Sequence, residues 1–556
     1  MLSLCKYSHS DISKLRTVFS AFFFLMLFCL TPQFASAQDG STESAELVET
    51  RTQVPKLKAA ATYQVKDNTV EIELSEYAGY AGIIAANNGL TPSEDSYFFK
   101  KHNFKVKLTL SEEESWSALN SGKMAGSATT VDVIAAYGSQ FKVAVPALIG
   151  FSRGATSIVV RKDIRKINDL KGKVIATCQF TEADFFIRYL AAEAGLGLNQ
   201  LEDLEGKPDP EKINLVFCAD GFASGDFFAR DVKKNFNKLA GCVTWDPKTS
   251  EVIKGCAGNA ILLASTSNML VVADILVLNE GFAKDNPRLV AGLVDGLLAG
   301  NDMVRREPAK HAKTISAAMG WEEEEAIDEL KKVHLANLPE NISFFDGTID
   351  SAGSFGYLFE TAAELYRPQL LARPLAPQDV FSLDALNTVK AGGNFREQKA
   401  LIEPIKLDIG LGEQTVRDKA ESLLSKDIRI EFEPNRSEIK NEIAENSKAI
   451  ESILKLLQVA PGSTILLRGH ADGVKLQEFK ESRDYKASGG EEKYRQGKLK
   501  LKALSWERCE STKEVLIKKF GISADRIQIE GVGVEEPTGK GPEKDRRVEV
   551  RWFTVE

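Results

Sequence analysis

A short stretch near the carboxyl end of the chain places a single carboxylate where it could bind a ligand. The apolar run 463–467 leads through Gly469 and His470 to Asp472, and Gly473 follows. Because glycine permits tight turns, this pattern predicts a strand that ends in a turn presenting Asp472. A carboxylate only accepts hydrogen bonds, so Asp472 either satisfies N–H groups of its own turn or binds a ligand.

Three further pieces follow this turn in a fixed order. They are Leu504-Ser505-Trp506-Glu507-Arg508, then 531–533, then 545–550. In this order the pieces resemble the OmpA-like C-terminal domain that binds peptidoglycan. The resemblance implies that Asp472 and Arg508 bind diaminopimelate of the peptide stem, whose ammonium and carboxylate groups can pair with a carboxylate and a guanidinium. The alternative for Arg508 is an arginine on the helix surface, paired with a nearby glutamate.

The elements that position this pair are predicted to form an α+β domain over 427–556. The expected order is β-α-β-α-β-β, with strands at 428–432, 464–468, 527–531 and 547–553 and helices at 437–459 and 503–520. The charged insertion 474–502 is longer than is usual in this family. We expect it to form a solvated loop.

The first residues have the pattern of an export signal. A basic segment precedes the apolar run 18–30, and the small residues 35–37 form an A-x-A site with cleavage expected before Gln38. This pattern predicts a signal peptide over 1–37 and a periplasmic location for the rest of the chain. The alternative is an uncleaved membrane anchor, although the apolar run is short for a membrane-spanning helix.

Composition limits the kinds of function that the chain can have. Its 556 residues are enough for two to four domains, and 43% hydrophobic with 27% charged residues is ordinary for a globular protein. A net charge of −8 does not favour nucleic acid as a partner. The chain has five histidines and no C-x-x-C pair, so we expect no metal site and no cofactor.

Five cysteines follow the predicted signal peptide: Cys178, Cys218, Cys242, Cys256 and Cys509. An odd number leaves at least one free thiol in an oxidising compartment. Cys242 and Cys256 bracket a hairpin-like segment. The sequence leaves open whether these two form a disulfide or remain buried thiols.

Strands and helices alternate over the first half of the chain. Residues 38–66 are polar and are expected to form a flexible leader. A period-2 strand at 70–74, a small-residue helix at 81–88 and a strand at 105–110 then begin the alternation, which predicts open α/β sheets. Amphipathic helices are predicted further on, at 287–306, 309–318, 322–338 and 354–365.

Six short pieces of this region occur in a characteristic order: Tyr77-Ala78-Gly79-Tyr80, 119–124, 128–132, 167–173, 245–247 and 274–278. With this order and spacing, the region resembles the periplasmic solute-binding proteins of ABC importers, in particular the nitrate/taurine/sulfonate type. The resemblance implies a two-lobed type II periplasmic-binding-protein fold over 67–389, with a ligand cleft that closes by a hinge. It also implies an ABC permease as a partner.

The candidate ligand-binding residues lie where predicted strands end: Tyr77, Tyr80, Thr129, Thr130, Arg153, Thr181 and Trp245. Hydroxyls, backbone N–H groups and helix N-termini at such positions suit a small polar or anionic ligand. Arg153 is the candidate for pairing with an anion, or else an exposed arginine at a strand end. The two tyrosines could instead be core aromatics, and Thr181 and Trp245 are assigned from the resemblance alone.

No convincing catalytic set is present in the sequence. It has no G-x-S-x-G, no H-E-x-x-H and no Walker A motif, so we expect no enzyme activity. Residues 390–426 are interpreted as a linker with one amphipathic helix at 413–424.

The sequence thus predicts an exported solute-binding protein that its last domain tethers non-covalently to peptidoglycan. Such a protein would lie at the cell wall or at the inner face of the outer membrane. An alternative is a wall-anchored sensor or scaffold whose cleft recognises a partner. A third hypothesis is an enzyme of thiamine-precursor synthesis, since some relatives of this fold have that activity.

Overall fold

The structure is a computed structural model of the whole chain. It describes residues 47–111, 115–267, 269–348, 353–373, 375–401, 424–439, 444–459, 463–486 and 489–553. The predicted signal peptide and residues 413–423 of the predicted helix at 413–424 lie outside these residues. Within the described ranges, no helix is long and apolar enough to cross a membrane.

The described strands, in chain order, are β1 (Thr69–Leu74), β2 (Lys105–Leu110), β3 (Gly126–Thr130), β4 (Val143–Ser152), β5 (Thr156–Arg161), β6 (Val174–Cys178), β7 (Gly197–Gln200), β8 (Lys212–Cys218), β9 (Gly241–Trp245), β10 (Ala260–Ser265), β11 (Ala273–Asn279), β12 (Val333–Leu335), β13 (Leu424–Glu431), β14 (Thr464–His470), β15 (Ile527–Gly533) and β16 (Arg547–Phe553).

The described α-helices are α1 (Ala81–Asn87), α2 (Tyr97–His102), α3 (Trp116–Asn120), α4 (Val131–Tyr137), α5 (Glu182–Glu193), α6 (Gly221–Lys234), α7 (Lys248–Gly255), α8 (Glu280–Asp285), α9 (Pro287–Arg306), α10 (Pro308–Met319), α11 (Glu323–Glu329), α12 (Leu338–Asp346), α13 (Phe355–Tyr366), α14 (Asp384–Gly392), α15 (Ala444–Val459), α16 (Val474–Glu481), α17 (Arg483–Lys486), α18 (Gly490–Phe520) and α19 (Pro542–Asp545).

Two six-stranded sheets form two α/β lobes. The first has the order β12-β4-β11-β3-β1-β2, with β1 parallel to β2 and β3. The second has the order β10-β5-β9-β6-β8-β7, with β6 parallel to β8 and β9. Strands such as β3 and β6 are buried along their whole length, as expected for sheets covered on both faces. The predicted alternation of strands and helices therefore produces a two-lobed α/β region.

The chain crosses between the lobes twice. It leaves the first lobe between β4 and β5 and returns between β10 and β11. The hydroxyl oxygens of Ser152 and Thr266, one on each crossing, are 2.6 Å apart and buried. Paired crossing segments of this kind are the positions where a two-lobed protein can bend.

Close contact between two helix backbones stabilises the first lobe. A Cβ atom added to Gly300 in α9 would lie 1.9 Å from the carbonyl oxygen of Gly82 in α1. Because such a distance is impossible for real atoms, the two helices can approach this closely only with glycine at Gly300.

One long predicted helix is wrong. The sequence predicts a single helix over 322–338, but the structure has α11, then β12, then the start of α12. Val333 and Leu335 of β12 pair with Ser152 and Gly150 of β4 at the edge of the first sheet. Hydrogen bonding to a sheet edge outweighs the helical propensity of this short segment.

The leader differs from the sequence-based expectation over its described part. Residues 47–66 are extended and packed on the folded region rather than flexible. Val48 N–H donates to the Phe217 carbonyl oxygen at 2.9 Å, in the second lobe. Tyr63 N–H donates to Asn279 Oδ1 at 3.1 Å, in the first lobe, and Val54 is buried. Backbone hydrogen bonds to both lobes hold a segment whose composition alone suggests disorder.

The predicted linker begins later than expected. Helix α14 extends to Gly392, and the residues after it still bond to the first lobe. Asn394 Nδ2 donates to Asp295 Oδ1 at 3.0 Å, and Leu401 N–H donates to Glu340 Oε1 at 2.6 Å. Residues 393–401 therefore belong to the first folded region.

The four strands and two long helices of the last region follow the predicted order, and the four-residue helix α19 lies in addition between β15 and β16. Its four-stranded sheet has the order β13-β16-β14-β15, with β14 parallel to β15 and antiparallel to β16. The insertion 474–502 is not the expected loop, because α16, α17 and the first part of α18 occupy its described residues. Glutamate–arginine and glutamate–glutamine pairs at helical spacing, such as Glu492 with Arg495 and Gln496, favour this helix.

Candidate functional site

A cavity of 740 Å³ opens between the two lobes, where strands from both sheets end. The turn after β1 and the end of β3 contribute from the first lobe. The ends of β6, β8 and β9 contribute from the second lobe. Ligand sites in α/β proteins form at such strand ends because the following loops and helix N-termini converge there.

Six of the predicted ligand-binding residues line this cavity: Tyr77, Tyr80, Thr129, Thr130, Thr181 and Trp245. All six are at most 8% exposed. The structure thus brings together residues of both lobes, such as Tyr77 and Trp245, that lie far apart in the sequence. The alternative interpretation, that the two tyrosines are core aromatics, also applies in part, because the rings of Tyr77 and Tyr80 pack edge to face with centroids 5.2 Å apart.

Arg153 is not among the cavity-lining residues, which differs from the sequence-based prediction. It lies on the first crossing segment, where its Nε donates to the Ser267 carbonyl oxygen of the second crossing at 2.9 Å. Partial burial lowers the pKa of its guanidinium. The side chain therefore connects the two crossing segments, because a planar guanidinium can bond a carbonyl of the neighbouring strand.

Asp274 is the cavity residue that the sequence analysis missed. It lies near the start of β11, directly opposite Thr130 of β3, and is 3% exposed. Tyr80 Oη donates to its Oδ1 at 3.4 Å. Burial is the main cause that raises the pKa of Asp274 to about 8; the nearby hydroxyl groups of Tyr77 and Tyr80 oppose this rise, and the charge of Asp132 adds to it. The signal in the sequence is a lone carboxylate that precedes the apolar run 275–278 of the same strand.

The second lobe contributes an aromatic wall and a helix start. Trp245 packs against Phe222 with ring centroids 5.6 Å apart. Thr181 Oγ1 donates to the Cys178 carbonyl oxygen at 2.9 Å, immediately before α5.

The five described cysteines are free and buried, so Cys242 and Cys256 are buried thiols rather than a disulfide.

The leader contributes a further part of the lining that the sequence did not predict. Val48, Glu49, Arg51, Leu57 and Lys58 are among its lining residues. We call residues 48–58 the strap.

Two glutamine side chains hold the strap. Gln179 of the second lobe bonds both backbone groups of Arg51, at 3.0 Å to the N–H and 2.7 Å to the carbonyl oxygen. Gln140 of the first lobe does the same for Leu57 N–H and the Pro55 carbonyl oxygen, at 3.0 and 3.1 Å. The strap therefore bridges the lobes beside the cavity.

The described residues contain no group of three or more metal-ligating side chains. The lining is instead composed of hydroxyls, carboxylates and aromatic rings. These groups can bind a small molecule by hydrogen bonds and ring contacts.

The predicted pair in the last region is brought together, but in an unexpected environment. Arg508 is 1% exposed, so it is not the surface arginine of the alternative interpretation. Its guanidinium donates to the carbonyl oxygens of His470, Arg436 and Glu433 at 2.7, 3.0 and 3.2 Å. Burial and, to a lesser degree, the charge of nearby Arg546 lower the pKa of Arg508 to about 10, while the charge of Asp472 opposes this change.

Asp472 remains a quarter exposed. Arg546 Nη1 donates to its Oδ2 at 3.3 Å. Three charged groups, one carboxylate and two guanidiniums, therefore lie close together at the end of β14. Such a set can pair with a ligand that carries both an anionic and a cationic group.

Comparisons with known proteins give a family match for part of the chain. Residues 89–311 match the model of the family described as NMT1/THI5 like, which is less than half of the chain. The comparison with curated proteins finds no match.

Three solved structures illustrate the similarity of the two-lobed region. The alkanesulfonate-binding protein SsuA from Xanthomonas axonopodis pv. citri bound to MOPS is 15% identical, with a TM-score of 0.42, and the match covers 57% of this chain and 99% of that one. The periplasmic aliphatic sulphonate binding protein SsuA from Escherichia coli is 14% identical, with a TM-score of 0.43 and coverage of 58% and 100%. The periplasmic nitrate-binding protein NrtA from Synechocystis PCC 6803 is 12% identical, with a TM-score of 0.39 and coverage of 61% and 91%. At these identities and TM-scores, the likeness assigns no ligand to this chain.

Proposed function

We propose that the two-lobed region binds a small polar solute in the cavity between its lobes and delivers it to an ABC permease. The observation that carries this proposal is the convergence of six buried, sequence-predicted residues from both lobes on one cavity of 740 Å³. A cavity of this size fits a small molecule rather than a macromolecule. The match of residues 89–311 to the NMT1/THI5-like family also supports it.

Native mass spectrometry of the purified full chain tests this proposal. We expect a stoichiometric small molecule that dissociates on mild activation and raises the melting temperature when added back, because a ligand that binds only the folded state stabilises it. Trp245→Ala should lose the co-purified molecule, while Trp506→Ala, which truncates an exposed tryptophan of the last region, should retain it. Equal retention in both variants would contradict the proposal.

We also propose that the last region tethers the chain to peptidoglycan through Asp472, with Arg508 positioned behind it. The charged group at the end of β14 supports this proposal, as does the predicted order of strands and helices. Exposure of Asp472 leaves it accessible to a peptide stem, whereas Arg508 is 1% exposed and its guanidinium donates to three carbonyl oxygens.

A pelleting assay with insoluble peptidoglycan tests the tether. The full chain should sediment with peptidoglycan, and Asp472→Ala should reduce the sedimented fraction strongly. Asp525→Ala removes another exposed carboxylate of the same region and should have no effect. Sedimentation of Asp472→Ala at the level of the unchanged chain would exclude this mechanism.

A wall-anchored sensor or scaffold is the second candidate function, and the strap favours it. Because Gln140 and Gln179 attach the strap to opposite lobes, it restrains the opening that transport cycles need. Transport into vesicles containing the permease separates the two functions, since a sensor would bind solute without supporting uptake.

A further inference from the structure

The cavity contains polar atoms for which the described protein provides no partner. Tyr77 Oη, Thr130 Oγ1 and Asp274 Oδ2 are buried and have no hydrogen-bond partner among the described residues. All three residues line the cavity. Buried polar atoms in a folded protein nearly always have partners, so three such atoms at one cavity indicate a ligand that supplies them.

The three residues that carry these atoms are neighbours in the lining of the cavity. Asp274 and Thr130 are directly opposite in the pairing of β11 with β3. The hydroxyl groups of Tyr77 and Tyr80 both lower the pKa of Asp274, so both lie beside its carboxyl group. The missing partner is therefore a single ligand group that several oxygens can contact at once.

The charge of the cavity determines whether this ligand group is a cation or an anion. Acidic residues outnumber basic ones in the lining: Glu49, Glu73, Glu182, Asp220 and Asp274 against Arg51 and Lys58. Both basic residues are exposed on the strap, whereas Asp274 is buried. The charged residue that acts on Asp274 is Asp132, a second buried carboxylate, so a bound cation would relieve repulsion that a bound anion would increase.

The positive N-terminal ends of the helices near the cavity do not offset its negative charge, because carboxylates of the chain already lie at these ends. Asp184 Oδ2 accepts from Phe180 N–H at 3.1 Å at the start of α5. Asp220 Oδ1 accepts from Ala223 N–H at 2.7 Å at the start of α6. Asp132 lies in the first turn of α4. The positive ends of these helices are thus occupied, and the preference for an anion expected from the sequence is removed.

Building on the proposed solute-binding function, we propose that the ligand carries a primary ammonium group, which binds Asp274 Oδ2, Tyr77 Oη and Thr130 Oγ1. A primary ammonium has three N–H donors, which matches three oxygens that lack a partner. The aromatic rings of Tyr77, Tyr80 and Trp245 provide surfaces for the alkyl or aryl body of the amine and for its charge. The specificity of the site is therefore for a small amine rather than for a sulfonate or nitrate.

Calorimetric titration of the full chain with matched pairs of probes tests this inference. Propylammonium and propanesulfonate have the same alkyl body and opposite charges, as do phenethylammonium and 2-phenylethanesulfonate. At pH 8.5 we expect at least one of the two amines to bind and neither sulfonate to do so. Asp274→Asn should weaken amine binding by at least about tenfold, because it removes a charge-assisted hydrogen bond without changing the size of the side chain.

A second variant keeps the test informative if Asp274→Asn fails to fold. Tyr80→Phe removes the hydroxyl that bonds Asp274 Oδ1 and leaves the ring in place, so it should keep the fold and change amine affinity by a smaller factor. Binding of a sulfonate in preference to its amine would overturn the ammonium assignment and leave solute binding intact. Binding of neither class would also overturn it, and the co-purified molecule would then decide separately whether the cavity binds a solute.

Discussion

Tyr80 and Asp274 lie 194 residues apart in the sequence and meet in the wall of the cavity, where Tyr80 Oη donates to Asp274 Oδ1 at 3.4 Å. This contact satisfies one carboxylate oxygen and leaves the other without a described partner. The tyrosine therefore orients the carboxylate, and the second oxygen is directed to the contact that we assign to a ligand.

Amine binding should depend on pH because Asp274 must be ionised to bind a cation. Burial raises the pKa of Asp274 to about 8, with Tyr77 and Tyr80 opposing the rise and Asp132 adding to it. Alkylammonium probes resemble the lysine side chain and remain charged well above this pH. Affinity should therefore be greatest above pH 8 and should fall by up to about tenfold for each pH unit below it. Calorimetric titration from pH 6 to 9 measures this dependence.

Two variants identify the group that titrates. Tyr80→Phe removes a hydrogen bond that lowers the pKa of Asp274, so the midpoint of the pH dependence should move to higher pH. Asp274→Asn should abolish the dependence between pH 7 and 9. An unchanged pH profile in Asp274→Asn would show that another group controls binding.

Gly221→Ala should disturb the aromatic wall of the cavity without breaking the fold. A Cβ atom at Gly221 would lie 2.1 Å from Cζ3 and 2.5 Å from Cε3 of Trp245, so the indole must move. We expect ligand affinity to fall severalfold and the tryptophan emission to shift. Gly392→Ala, where an added Cβ meets no atom within 4 Å, is the matched control and should leave both measurements unchanged.

Gly300→Ala should destabilise the first lobe through its contact with Gly82. The added methyl group would lie 1.9 Å from the Gly82 carbonyl oxygen, and backbone atoms cannot yield as a flexible side chain can. We expect the free energy of unfolding to fall by about 3 kcal/mol, at the upper end for an overpacked core. Gly356→Ala in α13, with no atom within 4 Å, should not lower stability. Hydrogen exchange of 287–306 in urea, read by mass spectrometry, compares the two.

Asp295→Asn should weaken the attachment of α2 and the 393–401 segment to α9. Asp295 is 3% exposed and accepts hydrogen bonds from Tyr97, His102 and Asn394 at 3.0, 2.8 and 3.0 Å. Burial raises its pKa, but the hydrogen bonds of His102, Lys101 and Asn394 outweigh burial and hold the pKa well below the usual value. At pH 7 we expect a loss of about 2 kcal/mol, less than for a fully buried pair because Lys101 is partly exposed.

The sign of the pH dependence follows from the lowered pKa. The stabilisation by Asp295 is complete above the unfolded-state pKa of about 4 and is lost as pH falls through the lower folded-state value. The difference in unfolding free energy between Asp295→Asn and the unchanged chain should therefore shrink below about pH 4. Asp95→Asn, which removes an exposed partner of Lys100, should change stability by less than about 0.5 kcal/mol at any pH.

The sequence alone determined most of the succession of strands and helices, except at 322–338 and 474–502, and it predicted six of the residues that line the cavity. Period-2 strands such as β1, whose Val70, Ile72 and Leu74 are buried, follow from local alternation of apolar and polar residues. Tyr77 and Thr130 are predicted from their positions at strand ends, and both line the cavity because the ends of parallel strands meet at one edge of a sheet.

The tertiary structure alone decided the charge of the site and the course of the leader. Asp274 is the single charged residue of its strand, and its role depends on Thr130, which lies opposite it in the sheet, and on Tyr80, which donates to it. Two more features could not be predicted from local patterns. Arg153 lies on a crossing segment rather than in the cavity. The strap is ordered because glutamines of two different lobes bond its backbone. Contacts between residues distant in sequence have no local pattern, so only the folded chain reveals them.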